Sequence, residues 1–288
     1  KTVPGYNKNL YDCDRTYVMS RDGTTEIPIS VVYLKAAWGK RPFPLHLFAY
    51  GAYGHSLDAS FSPIRLSLLN RGCVCVIAHV RGGGELGRAW HEAGRCLNKL
   101  KSVHDFVDVA TWMEENWSSP KLIAYEGRSA GGALVAAAIN EKPHLCKTAL
   151  LGVPFLDPLV TMSDPSLPLT TLEYEEWGNP HLEHQFESLR GWSPVQNIRA
   201  GSKYPSVMLI GGLYDNRVMF WELLKYAATL RHHATALSRS ESYPLVCTKI
   251  EASAGHSFGG NQQRYFRELS FMYAFVIDQI GATRLFPL

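Results

Sequence analysis

Six cysteines in 288 residues are too few and too irregularly placed to staple a fold. They fall at 13, 73, 75, 96, 146 and 247, and Cys73 and Cys75 lie within one apolar run. That pattern excludes a disulfide-built secreted scaffold and fits reduced, buried thiols in a cytoplasmic compartment. No apolar run reaches the roughly 18 residues that span a bilayer. Charge of one sign is also missing: 29 basic and 26 acidic residues leave a net +3 with no like-charge block. Neither nucleic acid nor a membrane is therefore expected as a partner. No internal repeat and no low-complexity tract occurs, which excludes a solenoid or propeller within this chain. His91-Glu92 lacks the second histidine of a zinc-protease motif, so no metal site is expected. Gly82-x-Gly84-x-x-Gly87 formally matches a dinucleotide fingerprint, but no helix is expected to open directly on it. No cofactor is assigned to it.

What is present is a chain with 46% hydrophobic residues, enough for one large α/β domain or two small ones. Pro28 to Lys35, Leu45 to Tyr50, Cys73 to Val80, residues 121–125 and 147–152, Ser206 to Gly211 and Leu245 to Ile250 read as strands. Between them, Val103 to Trp117, residues 133–141, Phe220 to His232 and Arg264 to Ile280 carry helical periodicity. Cys73 to Val80 is continuously apolar, as a strand covered on both faces must be. The alternation predicts an α/β fold: a mostly parallel, doubly wound sheet with helices on both faces. Segment 153–205 is too long for a simple loop and reads as a functional excursion. His232 to Tyr243 reads as a surface insertion.

Gly127-Arg128-Ser129-Ala130-Gly131-Gly132 lies between a predicted strand and an Ala-rich predicted helix. In that context G-x-S-x-G is a nucleophile elbow, the mark of an α/β-hydrolase fold. The turn is tight enough that positions two before and two after the serine must be nearly free of side chain. A serine hydroxyl needs a histidine to take its proton, and that histidine needs a carboxylate. In this fold the order is serine, acid, histidine, each after a strand. Only His256 follows the last predicted strand. Asp215 is the first acid after the strand at 206–211, with Asp157 as its rival, and either acid also suits a turn. For the oxyanion, the Ala130 N–H is one donor by position, and Tyr50-Gly51-Ala52-Tyr53-Gly54 supplies the second, whether from backbone or a tyrosine hydroxyl.

Longer stretches carry a resemblance. Val3-Pro4-Gly5-Tyr6, Tyr50 to Gly54, Phe61-Ser62-Pro63, Arg65 to Leu69, Ala78 to Arg88, Glu126 to Gly132, Val153-Pro154-Phe155, Glu175 to Pro180 and Ala254-Gly255-His256 occur in order along the chain. With them the sequence resembles the catalytic domain of the prolyl oligopeptidase family, in its oligopeptidase B branch. The resemblance implies a serine oligopeptidase with Ser129, Asp215 and His256 as its triad. It implies that Tyr50 donates its hydroxyl to the oxyanion beside the Ala130 amide, and that Arg217 binds a substrate carbonyl. It further implies cleavage after Arg or Lys, with Glu173 and Glu175 reading the positive charge of short peptides. Tyr53 and Asp58 complete the expected substrate-binding set, although Ser60 stands where a second acid often follows, which leaves a basic P2 preference open. Residues 1–14 are expected to be a linker or the start of the catalytic region and 15–288 the peptidase domain, with an N-terminal β-propeller in the full-length protein.

Local chemistry leaves alternatives. Thr170 and Glu173 also form a T-x-x-E capping pattern. On a regular helix 173 and 176 share a face while 173 and 175 do not, so the 173/175 pairing requires irregular backbone. The elbow by itself is equally compatible with a carboxylesterase or acylaminoacyl-peptidase, or with a silent homologue acting as a binding module.

Overall fold

The computed structural model describes residues 3–234, 244–257 and 262–286. Among these, eight strands form one sheet: β1 (Tyr11–Met19), β2 (Glu26–Leu34), β3 (Leu45–Phe48), β4 (Val74–Ala78), β5 (Ile123–Arg128), β6 (Thr148–Gly152), β7 (Ser206–Gly212) and β8 (Val246–Glu251). Their order is β1-β2-β4-β3-β5-β6-β7-β8. From β4 to β8 every neighbouring pair is parallel, whereas β2 runs against both β1 and β4. The five longest helices are α1 (Lys99–Asn116), α2 (Ala130–Glu141), α3 (Glu183–Trp192), α4 (Phe220–Ala234) and α5 (Gln262–Gln279).

Strand β4 shows why both faces are covered. Val74, Val76 and Ala78 pack with Val103 and Phe106 of α1 and the alanines of α2. Cys73 and Cys75 face the opposite layer, with Leu269, Met272 and Val276 of α5. Burying each of the valine, leucine, methionine and phenylalanine side chains contributes about 1.5–3 kcal/mol, which is what holds two helix layers to one sheet. The mostly parallel, doubly wound α/β-hydrolase architecture expected from the alternation is the one present. No helix among the described residues is long and apolar enough to cross a membrane.

Some local expectations are corrected. β1 is absent from the sequence reading and begins at Tyr11, inside the 1–14 stretch. Most of its residues are exposed at the sheet edge, so it lacks the apolar alternation that marks a half-buried strand. A five-residue helix, Arg88–Glu92, does open after Gly87. Of the expected surface insertion, His232 and His233 continue α4, and residues 235–243 lie outside the described residues.

Arg81 ties the parallel half of the sheet to the hairpin. Its guanidinium takes Asp105 of α1 at 2.6 Å and Asp22 of the β1–β2 turn at 2.8 Å. Because the guanidinium and Asp105 are both buried, removing either partner would strand an uncompensated charge.

Candidate active site

The loops that follow the C-terminal ends of β3, β5, β7 and β8 converge on one side of the sheet, where open α/β sheets bind ligands. Ser129 sits between β5 and α2 with φ 52° and ψ −120°, a strained conformation for a residue with a side chain. Its surroundings fix it there. Ser129 N–H donates to Gly152 O at 2.9 Å, and its carbonyl accepts from Gly132 N–H and Phe155 N–H. The flanking glycines are required sterically. A Cβ on Gly127 would lie 2.1 Å from the Gly131 carbonyl oxygen, and one on Gly131 would lie 2.6 Å from Ala49 O.

His256 comes from the loop after β8 and Asp215 from the loop after β7. The two loops are laced by Tyr214 N–H donating to Ala254 O at 3.0 Å. His256 Nδ1–H donates to Asp215 Oδ2 at 2.8 Å, which leaves Nε2 to accept from Ser129 Oγ at 3.1 Å. The carboxylate therefore fixes the tautomer a general base needs. Burial alone would raise the Asp215 pKa. The bonds from His256, Val218 N–H and Arg217 N–H outweigh that and hold it below the ordinary carboxylate value. Asp157, the rival acid, is engaged elsewhere, with Lys225 and Gln196.

A cavity of about 420 Å³ opens beside Ser129 and His256. Tyr50, Tyr53, Ala130, Glu173 and Arg217 line it, with an apolar wall of Phe155, Met162, Leu167, Pro168, Val218 and Met219. Ala130 is the first residue of α2, so its N–H belongs to the group that finds no helical carbonyl. Burial, then the charges of Glu173 and Glu176, raise the Tyr50 pKa, partly offset by Arg217. Tyr50 is thus a hydroxyl donor at neutral pH.

The structure separates the two acids expected to pair. Glu173 lines the cavity, and its Oε2 accepts from Tyr53 OH and from Trp177 Nε1–H, both at 3.0 Å. The Glu175 side chain is 93% exposed and lies 4.0 Å from Arg95, outside that cavity. The cause is local backbone: 171–173 form a 3₁₀ turn and 174–177 an α-turn, which place 173 and 175 on opposing sides. The pairing of Glu173 with Glu175 is therefore corrected. The capping box is not formed either, since Thr170 Oγ1 donates to Thr161 O. Asp58 is exposed and does not line the cavity.

Sequence reasoning missed the apolar wall at Met162, Leu167, Pro168 and Met219. Their only signal was position, inside the 153–205 excursion or just after Arg217. It also missed Glu222 of α4, which is 1% exposed. Glu222 Oε2 accepts from Leu156 N–H and Asp157 N–H at 2.9 Å, and Oε1 from Thr161 Oγ1 at 2.8 Å, so it holds the wall segment in place. Burial pushes its pKa up to about 7, hydrogen bonds notwithstanding. A carboxyl raised on folding stabilises fully below its unfolded value and loses that contribution as pH rises through the folded one. At about 1.4 kcal/mol per tenfold in proton affinity, the displacement from 4.5 to about 7 is worth roughly 3 kcal/mol. Glu222→Gln can keep all three bonds by turning its carbonyl to the two N–H groups. Thermal melts are expected to show this variant gaining on the wild type between pH 5 and pH 8. A constant difference across that range would refute the assignment.

Residues 59–283 match the prolyl oligopeptidase family. The chain belongs to that family. It is 40% identical over 280 residues to dipeptidyl aminopeptidase BI of Pseudoxanthomonas mexicana, covering 97% of this chain and 38% of that protein. It is 37% identical to protease 2 of Moraxella lacunata, covering 96% of this chain and 39% of that protein. Among solved structures, oligopeptidase B from Trypanosoma brucei with covalently bound antipain superposes with a TM-score of 0.92 at 40% identity. That match covers 98% of this chain and 39% of the other. The chain thus spans less than two fifths of the length of these relatives.

Proposed function

We propose that this chain is the catalytic part of a serine oligopeptidase that hydrolyses short peptides after Arg or Lys. The observation that carries the reading is the hydrogen-bonded series Ser129–His256–Asp215 at the mouth of a cavity where, among the described residues, one carboxylate stands, Glu173. Ser129 Oγ attacks the scissile carbonyl carbon while His256 Nε2 takes its proton. The oxyanion accepts from Ala130 N–H and Tyr50 OH. Collapse breaks the C–N bond, and His256 returns the proton to the leaving amine. Water then repeats the sequence on the acyl-enzyme, freeing Ser129.

Arg217, on the cavity wall, is assigned a substrate carbonyl, and Tyr53 acts through Glu173. Glu173 alone is assigned the P1 cation: Oε2 is taken by Tyr53 and Trp177, so Oε1 is the oxygen left for a guanidinium or ammonium. The resemblance to the prolyl oligopeptidase family assigns the full-length protein an N-terminal β-propeller that admits only short peptides, and the chain spans under two fifths of its relatives' length. Thiols held in the core at Cys73, Cys75 and Cys146 support a cytoplasmic setting.

The test is hydrolysis of matched short substrates with Arg, Lys, Pro or Phe at P1. The Arg and Lys substrates are expected to lead, and equal rates on all four would sink the specificity. Glu173→Gln keeps an acceptor for Tyr53 and Trp177 but loses the charge. It is expected to lower kcat/KM for Arg by about 10–100-fold, as for an unpaired desolvated cation, and to spare Phe. A uniform loss would assign Glu173 a structural role.

A further inference from the structure

Lys99 opens α1 yet is 1% exposed, an unusual place for an ammonium group. Its Nζ donates to Gly51 O at 2.7 Å, lies 3.7 Å from Glu176 Oε1 and sits 4.7 Å from the centroid of the Trp177 ring. Glu176 is 6% exposed and has three partners among the described residues. Oε1 also accepts Tyr53 N–H at 2.9 Å, and Oε2 accepts His91 Nε2–H at 2.7 Å. Neither Lys99 nor Glu176 lines the cavity.

The pair grips the Tyr50–Gly54 loop from two sides, at the Gly51 carbonyl and the Tyr53 amide. The second grip falls on a strained residue, since Tyr53 has φ 59°, a conformation that persists only when its surroundings impose it. The same pair braces Trp177. Tyr53 and Trp177 are the two donors on Glu173 Oε2, and Tyr50 lies three residues before Tyr53. One buried ion pair thereby supports both the carboxylate and the tyrosine of the proposed site.

We propose that the Lys99–Glu176 pair is a positioning unit that holds Tyr50 for the oxyanion and Glu173 for the P1 cation, without touching substrate. The assignment rests on the function proposed above. Burial lowers the Lys99 pKa to about 8, and the Glu176 charge only partly opposes it. The other ionisable groups that interact with the pair among the described residues are His91, Tyr53 and, through the Glu176 charge, Tyr50 and Arg95. As pH rises through 8 the ammonium loses its proton, Glu176 is left buried without its cation, and the loop loses its hold. Activity should therefore fall on the alkaline side with a midpoint near pH 8.

The experiment compares the wild type, Glu176→Gln and the double variant Lys99→Met/Glu176→Gln, which buries no unpaired charge and so keeps the test valid if Glu176→Gln alone fails to fold. Two readouts are taken from pH 6.5 to 9.5: the Arg-to-Phe ratio of kcat/KM, and the rate at which a small uncharged phosphonofluoridate labels Ser129. The phosphorus–oxygen bond forms as fluoride leaves, and His256 takes the serine proton, so labelling needs the oxyanion donors but no P1 charge. Both readouts are expected to fall at least about tenfold in the variants, as for reacting groups misplaced by about 1 Å. The double variant is also expected to lose the alkaline limb. Variants that keep the wild-type ratio, labelling rate and pH profile overturn the positioning role. A wild type with no Arg preference refutes the proposed specificity instead, and the labelling rates and their pH profile then decide the positioning role alone.

Discussion

Ser129→Ala is expected to lower kcat by about 10⁶-fold while leaving substrate binding and the unfolding midpoint nearly unchanged. Among the described residues the Oγ atom makes one hydrogen bond, to His256 Nε2, and that bond carries no part of the fold. The backbone clamps on residue 129, from Gly152 O, Gly132 N–H and Phe155 N–H, do not involve the side chain. Alanine would take the same φ of 52° with the same strain, so the elbow should persist. The measurement is steady-state hydrolysis of an Arg substrate beside a thermal melt. Turnover close to the wild type would discard Ser129 as the nucleophile.

Asp215→Asn is expected to cost about 10⁴-fold in kcat with little change in KM. The asparagine carbonyl can stay on Arg217 N–H and Val218 N–H, the two donors that bind Asp215 Oδ1. Its amide nitrogen then faces His256 Nδ1, where the carboxylate stood. To avoid opposing two donors, the ring must carry its proton on Nε2, and a protonated Nε2 cannot accept the serine proton. Asp157→Asn is the control, because Asp157 takes Lys225 and Gln196 and does not meet His256. Its effect on kcat should be small. Equal losses from the two substitutions would remove the tautomer argument.

Local rules made much of this site readable. The elbow could be found because Gly127 and Gly131 answer a steric demand within five residues, and a Cβ at either would collide with backbone. His256 followed from chain order, as the one histidine after the last predicted strand, whereas chain order left Asp157 as a rival to Asp215 and the family resemblance singled out Asp215. The parallel sheet was readable because strands buried on both faces must be continuously apolar, as 73–80 is. β1 was not, because an exposed edge strand carries no such pattern.

The acids divide differently. Which of Glu173, Glu175 and Glu176 enters the cavity depends on the phase of two short turns inside an irregular segment, and a phase error of one residue swings a side chain by about 100°. Glu175 ended in solvent, and Glu176 in the interior against Lys99. Lys99 itself has the look of a solvated first turn, because nothing near it in sequence shows that Trp177 and Gly51 will close over it.

The sequence by itself determined the α/β-hydrolase fold, the nucleophile elbow and the chain order of Ser129, Asp215 and His256, because local sterics and hydrophobic periodicity act over short distances. Only the tertiary structure decided which carboxylate faces the cavity and which buried pair supports it. Those choices depend on contacts between residues 48 to 124 positions apart, and desolvation acts on a charge only once such contacts have closed around it.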